Sequence, residues 1–204
     1  MADRAAVLLD GGFVKKRLQI KLKRFPTTTD VVGVVTTIMG HDRLKTHTLY
    51  RAFYYDAPPF EGEKLNPFTA TKVSYAGNPI AQANRALIDG LEFEPDFAVR
   101  RGILLHHGWK LGPNAMKALI KTPRPTVAND FVPDFEQKGV DIRIALDMAS
   151  IALKRLVDAI VLVTADSDFV PVLKFVRTEG AKLYLSTLGQ APRPELKAHA
   201  DLVL

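Results

Sequence analysis

No cysteine occurs among the 204 residues. Disulfides, thiolate nucleophiles and cysteine-ligated zinc are thereby excluded. No apolar run is long enough to cross a bilayer, so no membrane partner is expected. The opening MADRAAVLLDGG does not read as a secretory leader, because an aspartate follows at once and AAVLL is too short. A cytoplasmic home is the expectation. No internal repeat, low-complexity tract, P-loop lysine motif or GxGxxG fingerprint is present; DGG at 10–12 is too short for the last. One stretch lacks anions altogether. KKRLQIKLKR (15–24) carries six cations, equal to the net charge of +6. Such a run is a solvated helix face or a contact for a phosphate backbone, with Lys15, Lys16 and Arg17 as its leading candidates.

Apolar residues make up 47% and charged residues 25%, enough for one sizeable core. The short uninterrupted runs AAVLL (5–9) and AIVLV (159–163) have the character of strands buried on both faces. Further strands are expected at 46–56, 100–112 and 181–187. Helices are expected from Phe13 to about Arg24, after a cap in TTTD (27–30), from Pro79, over 140–156, and after Ser167 or Asp168. Residues 57–79 and 113–135 are rich in proline and read as connections. Strands alternating with helices imply an α/β fold, a three-layer sandwich around a mostly parallel five-stranded sheet. The expected organisation is a single domain over 1–190, with a variable middle at 57–135 and a loosely docked tail at 191–204. In such sheets ligands bind beyond the carboxyl ends of the strands.

Two of those ends carry aspartate. Asp10 closes the first strand, and VTADSDFVP (163–171) places Asp166 and Asp168 just after the fourth. Like charges crowded at the mouth of buried strands call for a cation between them. Asp147 interrupts IALDMASIAL, where an unpaired carboxylate in an apolar helix would cost several kcal/mol. Its bland partner would be Arg143, one turn away. Asp141 lies six residues earlier, about 120° round the helix, and so off the face of Asp147. An oxygen-only set suits Mg²⁺ or Mn²⁺ rather than Zn²⁺. Beside a basic flank it points to phosphodiester hydrolysis. Asp10, Asp147, Asp166 and Asp168 are the candidate catalytic and metal-binding residues. Asp141 and Lys138 are candidate supports, Lys138 also for nucleic acid. His106 and His107 are adjacent on a strand and make a poor chelate. The aromatic set Tyr50, Phe53, Tyr54 and Tyr55 reads first as core.

LLDGGF (8–13), QKGVDIRIALDMASIA (137–152) and VLVTADSDFVPVLKFVRTEGAKLYL (161–185) resemble the NYN domain family, in its LabA-like/DUF88 branch within the PIN-like nuclease superfamily. The resemblance implies strand order 3-2-1-4-5, which makes the first and fourth strands neighbours. It also implies a metal-dependent ribonuclease, with RNA as partner and a homodimer as a possible assembly. Asp10, Asp147, Asp166 and Asp168 fall on the family's acidic cluster, and Lys138 and Asp141 on its K-G-x-D element. Phe13 stands where many relatives carry asparagine, and 57–135 matches no motif of the family. The competing reading is a non-catalytic RNA-binding or regulatory module with a residual acidic site. A haloacid dehalogenase-type phosphatase is disfavoured, since Gly12 stands where that chemistry needs a second aspartate.

Overall fold

Leu8 and Leu9 set the layout of the molecule: consecutive strand residues point to opposite faces, and both are fully buried. A helical layer must therefore cover each side of the sheet that holds them. A computed structural model describes residues 3–204; residues 1 and 2, where the expected domain begins, lie outside it. In chain order the elements are β1 (Arg4–Asp10), α1 (Gly11–Leu22), α2 (Thr28–Met39), β2 (Thr48–Asp56), β3 (Glu63–Asn66) and β4 (Thr71–Ser74). Next come α3 (Pro79–Glu92), β5 (Phe97–Arg101), β6 (Ile103–Leu111), α4 (Pro113–Lys121), β7 (Phe131–Lys138) and α5 (Val140–Leu153). The chain closes with β8 (Ala159–Val163), α6 (Val170–Thr178), β9 (Lys182–Ser186), α7 (Pro194–His199) and β10 (Leu202–Val203).

The main sheet runs β10-β9-β8-β1-β2-β5. All its pairings are parallel. The five expected strands keep the order 3-2-1-4-5, and the sheet gains a sixth from the tail. That tail is anchored: Leu196 is fully buried and β10 pairs with β9. One face of the sheet packs Leu8, Leu162 and Leu183 against Ile144, Met148 and Val176 of α5 and α6. The other packs Leu9, Val161 and Tyr54 against Val14, Val35 and Leu87 of α1, α2 and α3. Together they form the three-layer sandwich.

The expected strand 100–112 is two strands. Phe97–Arg101 pairs with β2, and after Gly102 the chain leaves the main sheet. β6 then forms an antiparallel ribbon with β7, shifted in register between His106 and Gly108. The stretch read as connection, 113–135, supplies α4 and most of β7, and 57–79 contains the β3–β4 hairpin. His106 packs among Phe60, Tyr75, Trp109 and Phe135 under the ribbon. His107 faces Glu136 at 2.6 Å. Both histidines are structural. Phe53, Tyr54 and Tyr55 are buried core, and Tyr50 packs against it.

Candidate active site

The carboxyl ends of β1 and β8 lie side by side, with Leu9 opposite Val163. The residues just beyond them build the site. Asp10 caps α1: one carboxylate oxygen accepts the Phe13 amide at 3.2 Å, and the other accepts the Thr164 hydroxyl at 2.9 Å. Thr164 Oγ1 accepts in turn from the Asp166 amide at 3.2 Å, and Asp166 accepts the Asp168 amide at 3.0 Å. Thr164 is fully buried. A hydrogen-bonded chain thus ties three aspartates to two neighbouring strand ends. Gly11 makes this possible, because a Cβ there would stand 2.5 Å from the Tyr55 carbonyl oxygen and 2.9 Å from the Asp56 Cβ.

Asp141 enters from the first turn of α5. Gly139 precedes that helix with φ of 77°, a conformation glycine adopts without strain. It lets the chain turn from β7 into α5 and present Asp141 to the cluster. Burial, above all, pushes the Asp10 carboxyl above its ordinary value; hydrogen bonds from Phe13 and Thr164 oppose this, and the charges of Asp141 and Asp166 add to it. Asp141 is raised likewise, first by burial and then by Asp166 and Asp168. Among the described residues, none of the groups acting on these two carboxyls is a cation.

Asp147, expected with the metal ligands, has partners of its own. It accepts the Tyr55 hydroxyl at 2.8 Å and the Arg100 Nε at 3.0 Å. Burial first, and then the Asp147 charge, push the Tyr55 hydroxyl above its ordinary value. The partner expected for Asp147 is also corrected, since Arg143 donates to the Gly139 carbonyl instead. Six positions along α5 set Asp141 and Asp147 about 120° apart, so the helix presents them to different surroundings.

Asp56 is the acidic residue that sequence reasoning passed over. It ends β2 as Asp10 ends β1, and it is 2% exposed. It accepts from the Ala57 amide at 2.9 Å, the Tyr54 hydroxyl at 3.3 Å and Gln137 Nε2 at 3.5 Å, and it pairs with Lys15. The signal was the strand-end position, hidden in a run of aromatic residues. Lys15 therefore faces inward, with its ammonium also donating to Asn84 Oδ1 at 2.8 Å. Lys16 is exposed. Arg17 donates to the Leu188 carbonyl at 3.2 Å, while its Nε is buried without a partner. Lys138, half exposed, stands 3.5 Å from Glu136. Arg193, from the tail, donates to the Ser167 hydroxyl at 2.8 Å, between Asp166 and Asp168.

Among the described residues, no three acidic, histidine or cysteine side chains draw close enough to close around an ion by themselves. The donor set nonetheless suits a hard cation. It is oxygen only, crowded and without a neighbouring cation acting on its raised members. Mg²⁺ in particular keeps several waters and takes only one or two carboxylates.

The fold and this strand-end cluster define an α/β three-layer sandwich with acidic residues gathered at the carboxyl ends of its central strands. The family model of the NYN domain matches residues 113–203, a little under half of the chain, and includes Asp141, Asp166 and Asp168. NYN domains are generally nucleases. The chain is also similar in structure to a protein of unknown function, VPA0982, from Vibrio parahaemolyticus RIMD 2210633. The TM-score is 0.53 at 16% identity, covering 100% of this chain and 92% of that one. At that identity the likeness speaks for the fold alone. A search of curated proteins finds no match.

Proposed function

We propose that this protein is a metal-dependent ribonuclease of the PIN-like, LabA-like kind, with Asp10, Asp141, Asp166 and Asp168 as its acidic centre. The observation that carries the reading is the convergence of these carboxylates at neighbouring strand ends, where burial first, and then the charges of their acidic neighbours, raise Asp10 and Asp141. A divalent ion held there, Mg²⁺ or Mn²⁺, supplies Lewis acidity for adding water across a phosphodiester P–O bond. The protein's own residues orient and bind. Phe13 and Thr164 fix both oxygens of Asp10, so its direction is set before substrate arrives. Asp141 and Asp168 flank the approach. Lys16, Lys138 and Arg193 are the exposed cations for the phosphate backbone. Lys15 works from inside, holding Asp56 at the end of β2.

The second reading is a nucleic-acid-binding module without turnover. It is favoured by one observation, that the carboxylates do not close a metal centre on their own. A single assay separates the two. Purified protein is offered labelled single- and double-stranded RNA and DNA with Mg²⁺, Mn²⁺ or chelator. The ribonuclease reading expects RNA cleavage that needs the metal and disappears in Asp166→Asn. Binding without cleavage under every metal condition establishes the second reading, and cleavage that survives chelation and Asp166→Asn removes the first.

A further inference from the structure

Residues 57–135 hold an aromatic site that the acidic cluster does not use. Phe60 follows β2, Tyr75 follows β4, and Phe135 lies in β7. Their rings meet with centroids 5.6 Å apart for Phe60 and Tyr75, 5.3 Å for Tyr75 and Phe135, and 5.8 Å for Phe60 and Phe135. Tyr75 is held in place, its hydroxyl 3.3 Å from His106 Nε2. The three rings line an open cavity of about 270 Å³ together with Phe25, Asn84 and Lys15. Lys15 joins this cavity to the candidate active site, since its ammonium bridges Asn84 and Asp56. Asp56 ends the strand beside the one that Asp10 ends, with Asp10 opposite Tyr55.

We propose that this cavity takes one unstacked nucleobase of a single-stranded nucleic acid, next to the phosphodiester presented to the aspartates; the proposal rests on the nuclease reading. Phe60, only partly buried at the cavity, is the ring on which a base would stack, and the tilted and edge-on packing of Tyr75 and Phe135 holds it in place; any base suits, because every base has a π-face. Lys15 occupies the Asn84 carbonyl oxygen, which leaves the Asn84 amide N–H groups to meet a base carbonyl or ring nitrogen. Lys64 rides 5.7 Å from the Phe60 ring centroid and has no carboxylate partner among the described residues, so a cation stands at this wall for the attached phosphate. The volume falls just under the range of about 300–1,000 Å³ for drug-sized ligands, which fits a single base rather than a larger molecule.

The test uses the full-length Asp166→Asn protein, so that binding is read without cleavage. Fluorescence anisotropy is measured with short single-stranded RNA, with single-stranded DNA, and with the same strands carrying one abasic position moved along their length. Phe60→Leu keeps the apolar bulk and removes the flat ring. It is expected to weaken binding of base-bearing strands about tenfold, and to have no further effect once the abasic position occupies the cavity. Comparing the RNA and DNA arms shows which strand supplies the base. Equal affinity for Phe60→Leu and its parent overturns the proposal, as does equal affinity for every abasic strand or no binding of either strand. Should Phe60→Leu fail to fold, nucleoside monophosphates are titrated into the unsubstituted protein. Shifts in the Tyr75 and Phe135 ring resonances support the pocket, and their absence overturns it. Cleavage by unsubstituted protein is scored separately, so failure of the pocket and failure of the ribonuclease reading give different results.

Discussion

Six residues separate Asp141 from Asp147 on α5, and at about 100° per residue they face directions about 120° apart. Their environments assign them different work. Asp147 is satisfied by Tyr55 and Arg100. Asp147→Ala leaves the Tyr55 hydroxyl without its acceptor, at a cost of about 1–3 kcal/mol in urea unfolding, with RNA cleavage retained. Asp141→Asn should abolish metal-dependent cleavage while the protein stays folded. The reverse pattern would return Asp147 to the centre. The raised carboxyls add a pH signature. The fold disfavours the ionised forms of Asp10 and Asp141, so the folded protein holds their protons more tightly than the unfolded chain does. Their contribution to stability is complete below about 3.8 and lost as pH rises through the raised values. In chelator at neutral pH, Asp141→Asn is therefore expected to melt at a higher Tm than its parent, and the difference should vanish in acid. Mn²⁺ should raise the Tm of the parent but not of the variant. A lower Tm for metal-free Asp141→Asn at neutral pH would show that the fold does not disfavour the ionised Asp141 carboxylate.

The β1–α1 junction concentrates the constraints of the site in one turn. Gly11→Ala places a methyl against the Tyr55 carbonyl, the Tyr54 ring and Asp56. Overpacking of this kind costs about 1–3 kcal/mol, and because Asp10 is the adjacent cap, cleavage should fall with stability. α5 shows the opposite tolerance. Its sequence is apolar nearly all round, which reads as burial on most sides, yet Ile142, Leu146 and Leu153 are 59%, 61% and 58% exposed. Leu146→Lys should change unfolding free energy by less than about 0.5 kcal/mol, and a loss of several times that would mean this face is covered. The same helix marks the limit of what the sequence makes legible. Asp10, Asp166 and Asp168 stand out because they end or follow uninterrupted apolar strands, where a charge has few explanations. Asp147 stood out because it interrupts an apolar helix, and its cation, Arg100, comes from β5, where no spacing reveals it. Asp56 was hidden by the opposite circumstance, ending a strand so aromatic that packing accounted for all of it. Four of the five parallel strands were readable from short apolar or aromatic runs, whereas the third, Phe97–Arg101, overlaps the expected strand 100–112 at only two residues. The β6–β7 ribbon was not readable, because apolar residues continue past Gly102 without a break and Pro133 made its partner look like a loop.

At the scale of the whole molecule the question is how a net charge of +6 meets a polyanion. The anion-free run 15–24 accounts for that charge by count, but the fold divides it. Lys15 is spent inside, between Asp56 and Asn84, while Lys16 and Lys21 remain at the surface of α1. Lys138 and Arg193 reach the same end of the sheet from β7 and the tail. Each phosphate neutralised on a single strand adds about −0.7 to the slope of log K against log salt. Lys16→Ala in the Asp166→Asn background should therefore reduce the steepness of that slope by about 0.7 and leave the Tm unchanged. Lys15→Ala should behave differently, leaving the slope almost unaltered and lowering the Tm, because it removes the partner of a buried carboxylate. The two measurements, anisotropy across a salt series and thermal melting, separate a cation that holds substrate from one that holds the protein. If both variants changed the slope equally, Lys15 would be reaching the phosphate backbone, and the inward pair with Asp56 could not be its state when nucleic acid is bound.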